Sequence, residues 1–363
     1  MRVGVVGGGQ LGRMLALAGH PLGITCTTLD PAPASPAAQV APAIVGDYGD
    51  LEALDELARG CDVATYEFEN VPVDAARFLA ARVPVHPAPE ALEAAQDRLA
   101  EKTLFTEVGL PVPPFVAVHD LSSLRTAIDD VGLPAVLKTR RLGYDGKGQA
   151  VVRDALRADD AWRAVGEQPS ILEAFVPFRR ELSIVGARAA DGTTAFYPLV
   201  ENQHRDGILR VSRAPADVDE DTRELAETHA RGVFARLGYV GVLAIELFDV
   251  DGRLLGNEMA PRVHNSGHWT IEGAATSQFE QHLRAVCGLP LGDPAGRGTS
   301  VTVNLVGALP KTQDVLSVPG AHLHLYGKQP RPGRKVGHVT LVADDVQQRE
   351  DALAGLLPSI PEA

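Results

Sequence analysis

Two glutamates set among apolar residues are the positions in this sequence with the clearest chemical purpose. Glu246 lies inside the apolar run 242–248, and Glu258 ends the run that follows. A carboxylate in an apolar strand is costly to bury unless something positive meets it. Together with the neighbouring Asn257, the pair offers the oxygen ligands that hard divalent cations prefer. The sequence therefore predicts a divalent metal held by Glu246 and Glu258.

The turn between the two runs decides whether these carboxylates can meet. Asp251-Gly252 is typical of a tight hairpin. A two-residue turn pairs position 246 with position 257 and sends Glu258 to the opposite face, because successive side chains of a strand alternate. A three-residue loop at 251–253, or a bulge of equivalent effect, pairs Glu246 with Glu258. The metal prediction requires one of the latter two arrangements.

A dense polar segment follows the second glutamate, where a protein core would be apolar. It contains Arg262, His264, Asn265, Ser266 and His268. A metal pair beside such an anion-friendly segment indicates phosphoryl chemistry on ATP. Arg262 suits an oxyanion better than a lysine would, because its guanidinium presents a fixed fork of donors.

A lysine and a glycine-rich segment predict a phosphate-binding loop. Lys138 ends an apolar strand, which aims its ammonium at one place, and Gly143, Gly146 and Gly148 follow. The backbone N–H groups of such a segment can wrap phosphates. The spacing is not that of a Walker A loop. The alternative is a solvated basic hairpin turn.

The strand at 171–175 has features that suit adenine. It runs into Pro177, so backbone groups at its end lack partners and can bond to the base between apolar side chains. Glu181 can accept a hydrogen bond from a ribose hydroxyl, although an edge strand with a salt bridge is the commoner origin of this pattern. The polar neighbours of His204 favour a ligand-facing histidine over a surface one.

Two further motifs concern anionic ligands. Gly7, Gly9 and Gly12 follow a strand and Asp30 ends the next one, as in dinucleotide-binding domains. No pattern for hydride transfer accompanies them, so we interpret the segment as a ligand loop of unspecified kind, with an NAD-dependent dehydrogenase as a rival. The basic residues of 326–338 predict either capture of a substrate phosphate or a solvated turn.

Composition narrows the class of protein. The chain has 363 residues and a net charge of −13, which argues against a general binder of nucleic acid or anionic membranes. Its three cysteines are widely spaced and support neither a zinc site nor a disulfide framework. No run approaches the roughly 18 apolar residues that span a bilayer. We expect a cytoplasmic enzyme with no nucleic-acid or membrane partner.

The pattern of apolar residues predicts a mixture of α/β and α+β units in three parts. Strands alternating with helices over 1–96, including a strand at 83–86, predict a doubly wound parallel sheet. A helix at 97–108 and a proline cluster open a region spanning 97–290, with a small lid unit at 115–180 and a metal and nucleotide unit at 181–290. A Gly/Pro/Asp-rich linker leads to a mixed C-terminal domain at 291–363.

Together these motifs resemble the ATP-grasp superfamily of carboxylate–amine ligases, and within it the enzymes that carboxylate a purine precursor. The resemblance covers nearly the whole chain. It is carried by Lys138, Glu181, Glu246 and Glu258 and by the segments Gly7 to Gly12, Tyr66 to Asn70, Tyr144 to Gln149, Ala260 to His268 and Pro332 to His338.

The resemblance implies a fold and a reaction. The fold is ATP-grasp with an N-terminal pre-ATP-grasp domain. The reaction converts 5-aminoimidazole ribonucleotide, bicarbonate and MgATP into the N5-carboxylated nucleotide, ADP and phosphate through carboxyphosphate, in purine biosynthesis. Mg²⁺, with Mn²⁺ as an alternative, is held by Glu246 and Glu258. The resemblance also implies a homodimer whose product passes to a separate mutase.

The resemblance also implies roles for individual residues. The catalytic residues are Arg262, His264 and Lys335, of which Arg262 and His264 lie near bicarbonate and its activated product. The residues that bind ATP are Arg98, Lys138, Gly143, Tyr144, Asp145, Gly146, Lys147, Gly148, Gln149, Glu173, Ala174, Phe175, Val176, Glu181, His204, Asn257 and Glu258. The residues that contact the aminoimidazole nucleotide are Gln10, Leu11, Glu69, Tyr144, Asp145, Asn265, Ser266, Lys328, Arg334 and Lys335. The alternatives are a related nucleotide carboxylase or formyl-phosphate transferase and a non-catalytic nucleotide sensor.

Overall fold

The computed structural model describes residues 1–143 and 147–361, and its N-terminal part is built on a parallel sheet of order β3-β2-β1-β4. The strands are β1 (Arg2–Val6), β2 (Thr25–Asp30), β3 (Ala43–Val45) and β4 (Val63–Tyr66). The helices are α1 (Gln10–Gly19), α2 (Leu51–Gly60), α3 (Val73–Ala80) and α4 (Pro89–Gln96). The prediction of a doubly wound parallel sheet is confirmed.

The strand predicted at 83–86 is wrong. Only Val85 pairs, in one parallel bridge with Ala64. Pro84 and Pro87 lack the backbone N–H that a longer ladder needs, so the segment continues the sheet for a single residue.

A small antiparallel sheet of order β5-β8-β6-β7 forms the second unit, in the region predicted to be a lid. The start of α5 is tied to this sheet, because the Asp97 carboxylate accepts from the Leu99 N–H and binds Arg140 Nη2 at 2.7 Å, just beyond the strand that carries Lys138. The elements are α5 (Arg98–Glu107), β5 (Phe115–Val118), α6 (Leu121–Val131), β6 (Ala135–Thr139), β7 (Gln149–Val152), α7 (Ala158–Ala164) and β8 (Ser170–Ala174).

The rest of the described chain is organised by one antiparallel sheet of nine strands, ordered β14-β13-β9-β11-β12-β15-β17-β16, with β10 beside β9. The strands are β9 (Arg180–Arg188), β10 (Thr194–Phe196), β11 (Val200–Arg205), β12 (Ile208–Ala214), β13 (Gly241–Val250), β14 (Arg253–Ala260), β15 (Thr299–Val306), β16 (Ala321–Leu325) and β17 (Lys335–Ala343). The helices are α8 (Glu220–Leu237), α9 (Thr270–Gly273), α10 (Gln278–Val286), α11 (Thr312–Leu316) and α12 (Val346–Leu356).

This sheet crosses the boundary predicted between residues 290 and 291. Strand β12 pairs with β15, with Val211 opposite Val303. The C-terminal segment is therefore joined to the preceding region by backbone hydrogen bonds rather than by side-chain packing alone.

A buried histidine joins the N-terminal sheet to the large sheet. His282 on α10 is 1% exposed. Its Nδ1 accepts from the Val242 N–H at 3.1 Å, and its Nε2 lies 2.9 Å from Thr65 Oγ1 on β4. The ring must be neutral, with the proton on Nε2, to make both bonds. Burial lowers the pKa of His282 to about 3.

We expect this histidine to make the fold sensitive to acid. The unfolded chain binds a proton near pH 6.5, whereas folded His282 does so only near pH 3, so its contribution to stability is lost as pH falls through this window. When the pH falls from 7 to 5, the free energy of unfolding should decrease in both proteins. The decrease should be about 2 kcal/mol smaller for His282→Gln than for the wild type. Urea unfolding at the two pH values measures this difference. The exposed His119→Gln is the control. An equal decrease in the free energy of unfolding of His282→Gln and His119→Gln would contradict the prediction.

Candidate active site

A cavity of about 1270 Å³ lies where the three sheets face one another, and it gathers most of the predicted site residues. Gly148 and Ser266 do not line it, and Tyr144, Asp145 and Gly146 lie outside the described residues. The predicted residues that line the cavity are Gln10, Leu11, Glu69, Arg98, Lys138, Gly143, Lys147, Gln149, Glu173, Ala174, Phe175, Val176, Glu181, His204, Glu246, Asn257, Glu258, Arg262, His264, Asn265, Lys328, Arg334 and Lys335.

A bulge in the β13–β14 hairpin brings the two glutamates opposite each other. The turn is two residues long, since Val250 pairs with Arg253, and Asp251 and Gly252 adopt φ of 52° and 85°. Leu247 still pairs with residue 256, but Glu246 pairs with Glu258. The extra residue shifts the register by one and places both carboxylates on one face. The expectation of a bulge equivalent to a three-residue loop is confirmed.

The paired glutamates have different electrostatic surroundings. Burial and the charge of Glu258 raise the pKa of Glu246 to about 7. Burial also opposes ionisation of Glu258, but Arg98 Nη1 lies 3.0 Å from its Oε2 and lowers its pKa. Two acids on one face, of which only one has a guanidinium partner, form a pair that a cation would stabilise.

The donor set fits magnesium. Carboxylate oxygens are hard ligands, and Mg²⁺ is commonly held by one or two carboxylates together with phosphate oxygens and water. Within residues 1–143 and 147–361 no group of three or more His, Cys, Asp or Glu side chains has the arrangement of a metal site. Glu246 and Glu258 would therefore hold the ion together with the nucleotide rather than alone.

His264 faces this pair as a neutral ring. Its Nε2 lies 3.2 Å from Glu246 Oε1, and its Nδ1 accepts from the Ser266 N–H at 3.3 Å. Burial and the charge of Arg262 hold its pKa well below the ordinary value. The Ser266 side chain, predicted to contact substrate, is buried and lies 2.9 Å from the same Nδ1. Ser266 thus orients His264 from behind the cavity wall.

A chain of charges lines the end of the cavity next to β6, β8 and β9. Lys138 Nζ binds Glu173 Oε2 at 2.9 Å, and Glu173 is 2% exposed. Burial opposes ionisation of Glu173, yet Lys138 and Lys102 lower its pKa to about 2. His204 Nδ1 makes a close contact with Glu181 Oε2. The structure therefore brings Lys138 and the pair of Glu181 and His204, all predicted to bind ATP, to one region of the cavity.

Two phenylalanines that the sequence reasoning missed complete the apolar wall. Phe178 and Phe248 stack with ring centroids 4.8 Å apart, and both line the cavity beside Phe175. Phe178 lies between β8 and β9, three residues after Phe175, and Phe248 lies two residues after Glu246 on the same face of β13. The strand face that Phe248 shares with Glu246, and the position of Phe178 close after the predicted adenine strand, were the available signals.

The arginine predicted to bind bicarbonate is paired with a residue predicted to bind the nucleotide. Arg262 contacts Glu69 Oε2 through Nε and Nη2, and its Nη1 donates to the Val263 carbonyl at 2.9 Å. Gln96 Nε2 donates to the Glu69 carbonyl at 2.8 Å and so steadies that loop. The guanidinium is therefore already oriented across the middle of the cavity.

The glycine loop at the start of α1 is occupied by a side chain of the same protein. Glu67 Oε1 accepts from the Gly9 N–H at 2.6 Å, and Oε2 accepts from the Gly12 N–H at 2.7 Å. Asp30 accepts from the Gly8 N–H at 2.8 Å. A dinucleotide pyrophosphate would need these donors. The NAD reading is therefore wrong, and the role of Glu67 was missed.

The C-terminal basic segment closes the opposite side of the cavity. Lys328 Nζ makes a close contact with Gln10 Oε1 at the start of α1. Arg331, Arg334 and Lys335 line the same wall. A chain with a net charge of −13 thus concentrates cations at one end of the cavity, as capture of a phosphate group requires.

No helix in the described residues is long and apolar enough to cross a membrane.

Comparison with family models covers most of the chain. The ribonucleotide synthetase preATP-grasp domain matches residues 1–96. The ATP-grasp domain matches residues 103–279, and the phosphoribosylaminoimidazole carboxylase C-terminal domain matches residues 300–352.

Individual proteins match over nearly their whole length. N5-carboxyaminoimidazole ribonucleotide synthase of Pseudomonas aeruginosa is 54% identical, over 95% of each chain. The crystal structure of the Thermus thermophilus synthetase is 55% identical with a TM-score of 0.96, over 99% of each chain. The Aspergillus clavatus enzyme in complex with ADP and 5-aminoimidazole ribonucleotide is 32% identical with a TM-score of 0.92, over 99% of this chain and 98% of that one.

Proposed function

The chain belongs to the N5-carboxyaminoimidazole ribonucleotide synthase family of ATP-grasp ligases, and on that premise we propose how its cavity divides the reaction among residues. The enzyme catalyses the ATP-dependent carboxylation of 5-aminoimidazole ribonucleotide in purine biosynthesis. The observation that carries the proposal is the shared face of Glu246 and Glu258, with Arg262 and His264 beside it and opposite cavity ends suited to two nucleotides.

ATP takes the end of the cavity formed by the lid and the large sheet. The stacked Phe178 and Phe248 and the strand ending at Ala174 suit the adenine. Glu181 with His204 suits the ribose, and Lys138 suits the phosphates. Glu246 and Glu258 would hold Mg²⁺, which would supply charge neutralisation at the phosphate oxygens.

The aminoimidazole nucleotide takes the opposite end. Lys328, Arg334 and Lys335 bind its phosphate, and Gln10 and Leu11 lie at the same wall. Glu69 faces the centre of the cavity, where the exocyclic amine must reach the carboxyl donor. The negative phosphate of the substrate then meets three positively charged side chains.

Bicarbonate reacts between the two nucleotides. A bicarbonate oxygen attacks the γ-phosphorus, the bond from that phosphorus to the bridging oxygen of ADP breaks, and carboxyphosphate forms. The exocyclic amine attacks the carboxyl carbon, the C–O bond to phosphate breaks, and the amine proton leaves with the phosphate. Arg262 stabilises the oxyanion, and neutral His264 serves as a hydrogen-bond donor through Nε2 rather than as a base.

We further propose that the enzyme acts in the cytoplasm as a homodimer and that a separate mutase uses its product. The absence of a membrane-spanning helix among the described residues is compatible with this. Sedimentation at micromolar concentration measures the oligomeric state, and a monomer would contradict that part of the proposal.

ADP release tests the reaction directly. It should require 5-aminoimidazole ribonucleotide and bicarbonate together, and chelation of Mg²⁺ with EDTA should stop it. Release that follows formate instead of bicarbonate would indicate a formyl-phosphate transferase.

A further inference from the structure

Helix α5 buries two charged residues whose side chains reach the metal-binding hairpin. Glu101 is 2% exposed and Lys102 is 0% exposed. Charged groups are buried at high cost unless each has a specific partner. Each residue has a backbone partner on β14, and Glu101 also lines the cavity close to Arg98.

The two side chains form hydrogen bonds with the backbone on either side of the bulge. Lys102 Nζ donates to the Gly256 carbonyl at 3.0 Å. Glu101 Oε1 accepts from the Met259 N–H at 2.6 Å. Between these anchored groups lie Asn257, the extra residue of the bulge, and Glu258.

Close packing fixes the same segment against the end of α5. The Gly256 N–H donates to the Pro111 carbonyl at 2.7 Å. A Cβ at Gly256 would lie 2.9 Å from Phe105 Cδ2 and 2.9 Å from Leu110 Cδ2. The bulge therefore cannot move closer to the helix. Its register then depends on the hydrogen bonds from Glu101 and Lys102.

Lys102 also connects this segment to the phosphate-binding lysine. Its Nζ lies 3.5 Å from Glu173 Oε2, the oxygen that accepts from Lys138 Nζ at 2.9 Å. One carboxylate oxygen thus lies between a buried lysine and a cavity lysine. A change at Lys102 alters both the hairpin and the orientation of Lys138.

We infer that Glu101 and Lys102 are positioning residues that hold the bulge in register, so that Glu246 and Glu258 face one ion and Lys138 faces the phosphates. This inference rests on the proposed binding of MgATP in the cavity. The outer partners of metal ligands commonly change metal affinity by about 10- to 100-fold.

Isosteric substitutions test the two anchors. Lys102→Met should raise the Kd for MgATP, measured by calorimetry without bicarbonate, by roughly tenfold. The KM for MgATP and the Mg²⁺ concentration for half-maximal activity should rise by about the same factor. The KM for 5-aminoimidazole ribonucleotide should stay within about twofold, because its predicted contacts lie at the other end of the cavity. Glu101→Met should behave like Lys102→Met, whereas Glu101→Gln keeps an oxygen for the Met259 N–H and should restore most of the metal affinity.

The exposed Lys311→Met is the matched control and should leave every constant unchanged. A fall in kcat with unchanged constants for MgATP and Mg²⁺ would overturn the inference and assign Lys102 to stability alone. If Lys102→Met does not fold, the comparison of Glu101→Met with Glu101→Gln decides, and failure of Glu101→Met to fold would also overturn it. Wild-type ADP release is measured first, so that failure of the proposed function is recognised separately.

Discussion

Replacing Glu258 with glutamine is expected to abolish ADP production, by roughly a thousandfold, while leaving the fold intact. The amide keeps the size of the side chain and an oxygen that can accept a hydrogen bond from Arg98 Nη1. In the wild type this nitrogen lies 3.0 Å from Glu258 Oε2. It removes the negative charge that a divalent cation needs on the face shared with Glu246. The steady-state rate of ADP release at saturating ATP, bicarbonate and Mg²⁺ measures the effect.

The control for this variant is Glu224→Gln on the exposed face of α8, which should retain full activity. Thermal unfolding of both variants, within about two degrees of the wild type, would show that the loss is chemical. Near-wild-type ADP production by Glu258→Gln would refute the metal assignment.

Replacing Arg262 with lysine is expected to lower carboxylated product by about a hundredfold with little change in the KM for ATP. The guanidinium contacts Glu69 through Nε and Nη2 and the Val263 carbonyl through Nη1, so its plane is set by several partners. A lysine keeps the charge but offers a point donor without that fork. Product should fall more than ADP release, because carboxyphosphate held loosely hydrolyses before the amine attacks.

The ratio of product to ADP is the decisive readout for Arg262→Lys. The exposed Arg125→Lys serves as its control and should leave the ratio near the wild-type value. An unchanged ratio with a raised KM for ATP would place Arg262 at the nucleotide end and contradict its proposed contact with bicarbonate.

Most elements that carry the site were predictable because their signals are local. Alternation of apolar residues placed Lys138 near the end of β6 and Glu246 within β13, and the Asp251-Gly252 pair predicted the turn. The strand at 83–86 was wrong because apolar content alone does not show that its prolines interrupt the ladder.

These local signals could not predict contacts between segments that are distant in the sequence. Gly7, Gly9 and Gly12 predict donors for an anion, but only the fold shows that the Glu67 carboxyl group accepts from the Gly9 and Gly12 N–H groups. Lys102 lies one turn after Arg98 and shares its helix face, yet its attachment to Gly256 spans 154 residues. Ser266 likewise proved to support His264 rather than line the cavity.

By itself the sequence determined the family, the order of elements and the residue types of the site, because strand and helix periodicity and turn residues act over a few positions. Only the tertiary structure decided how those residues meet. The two-residue turn alone would place Glu246 and Glu258 on opposite faces. The bulge that brings them to one face is held by hydrogen bonds from α5, outside the hairpin. Register depends on such long-range packing and hydrogen bonds, which no local pattern of amino acids encodes.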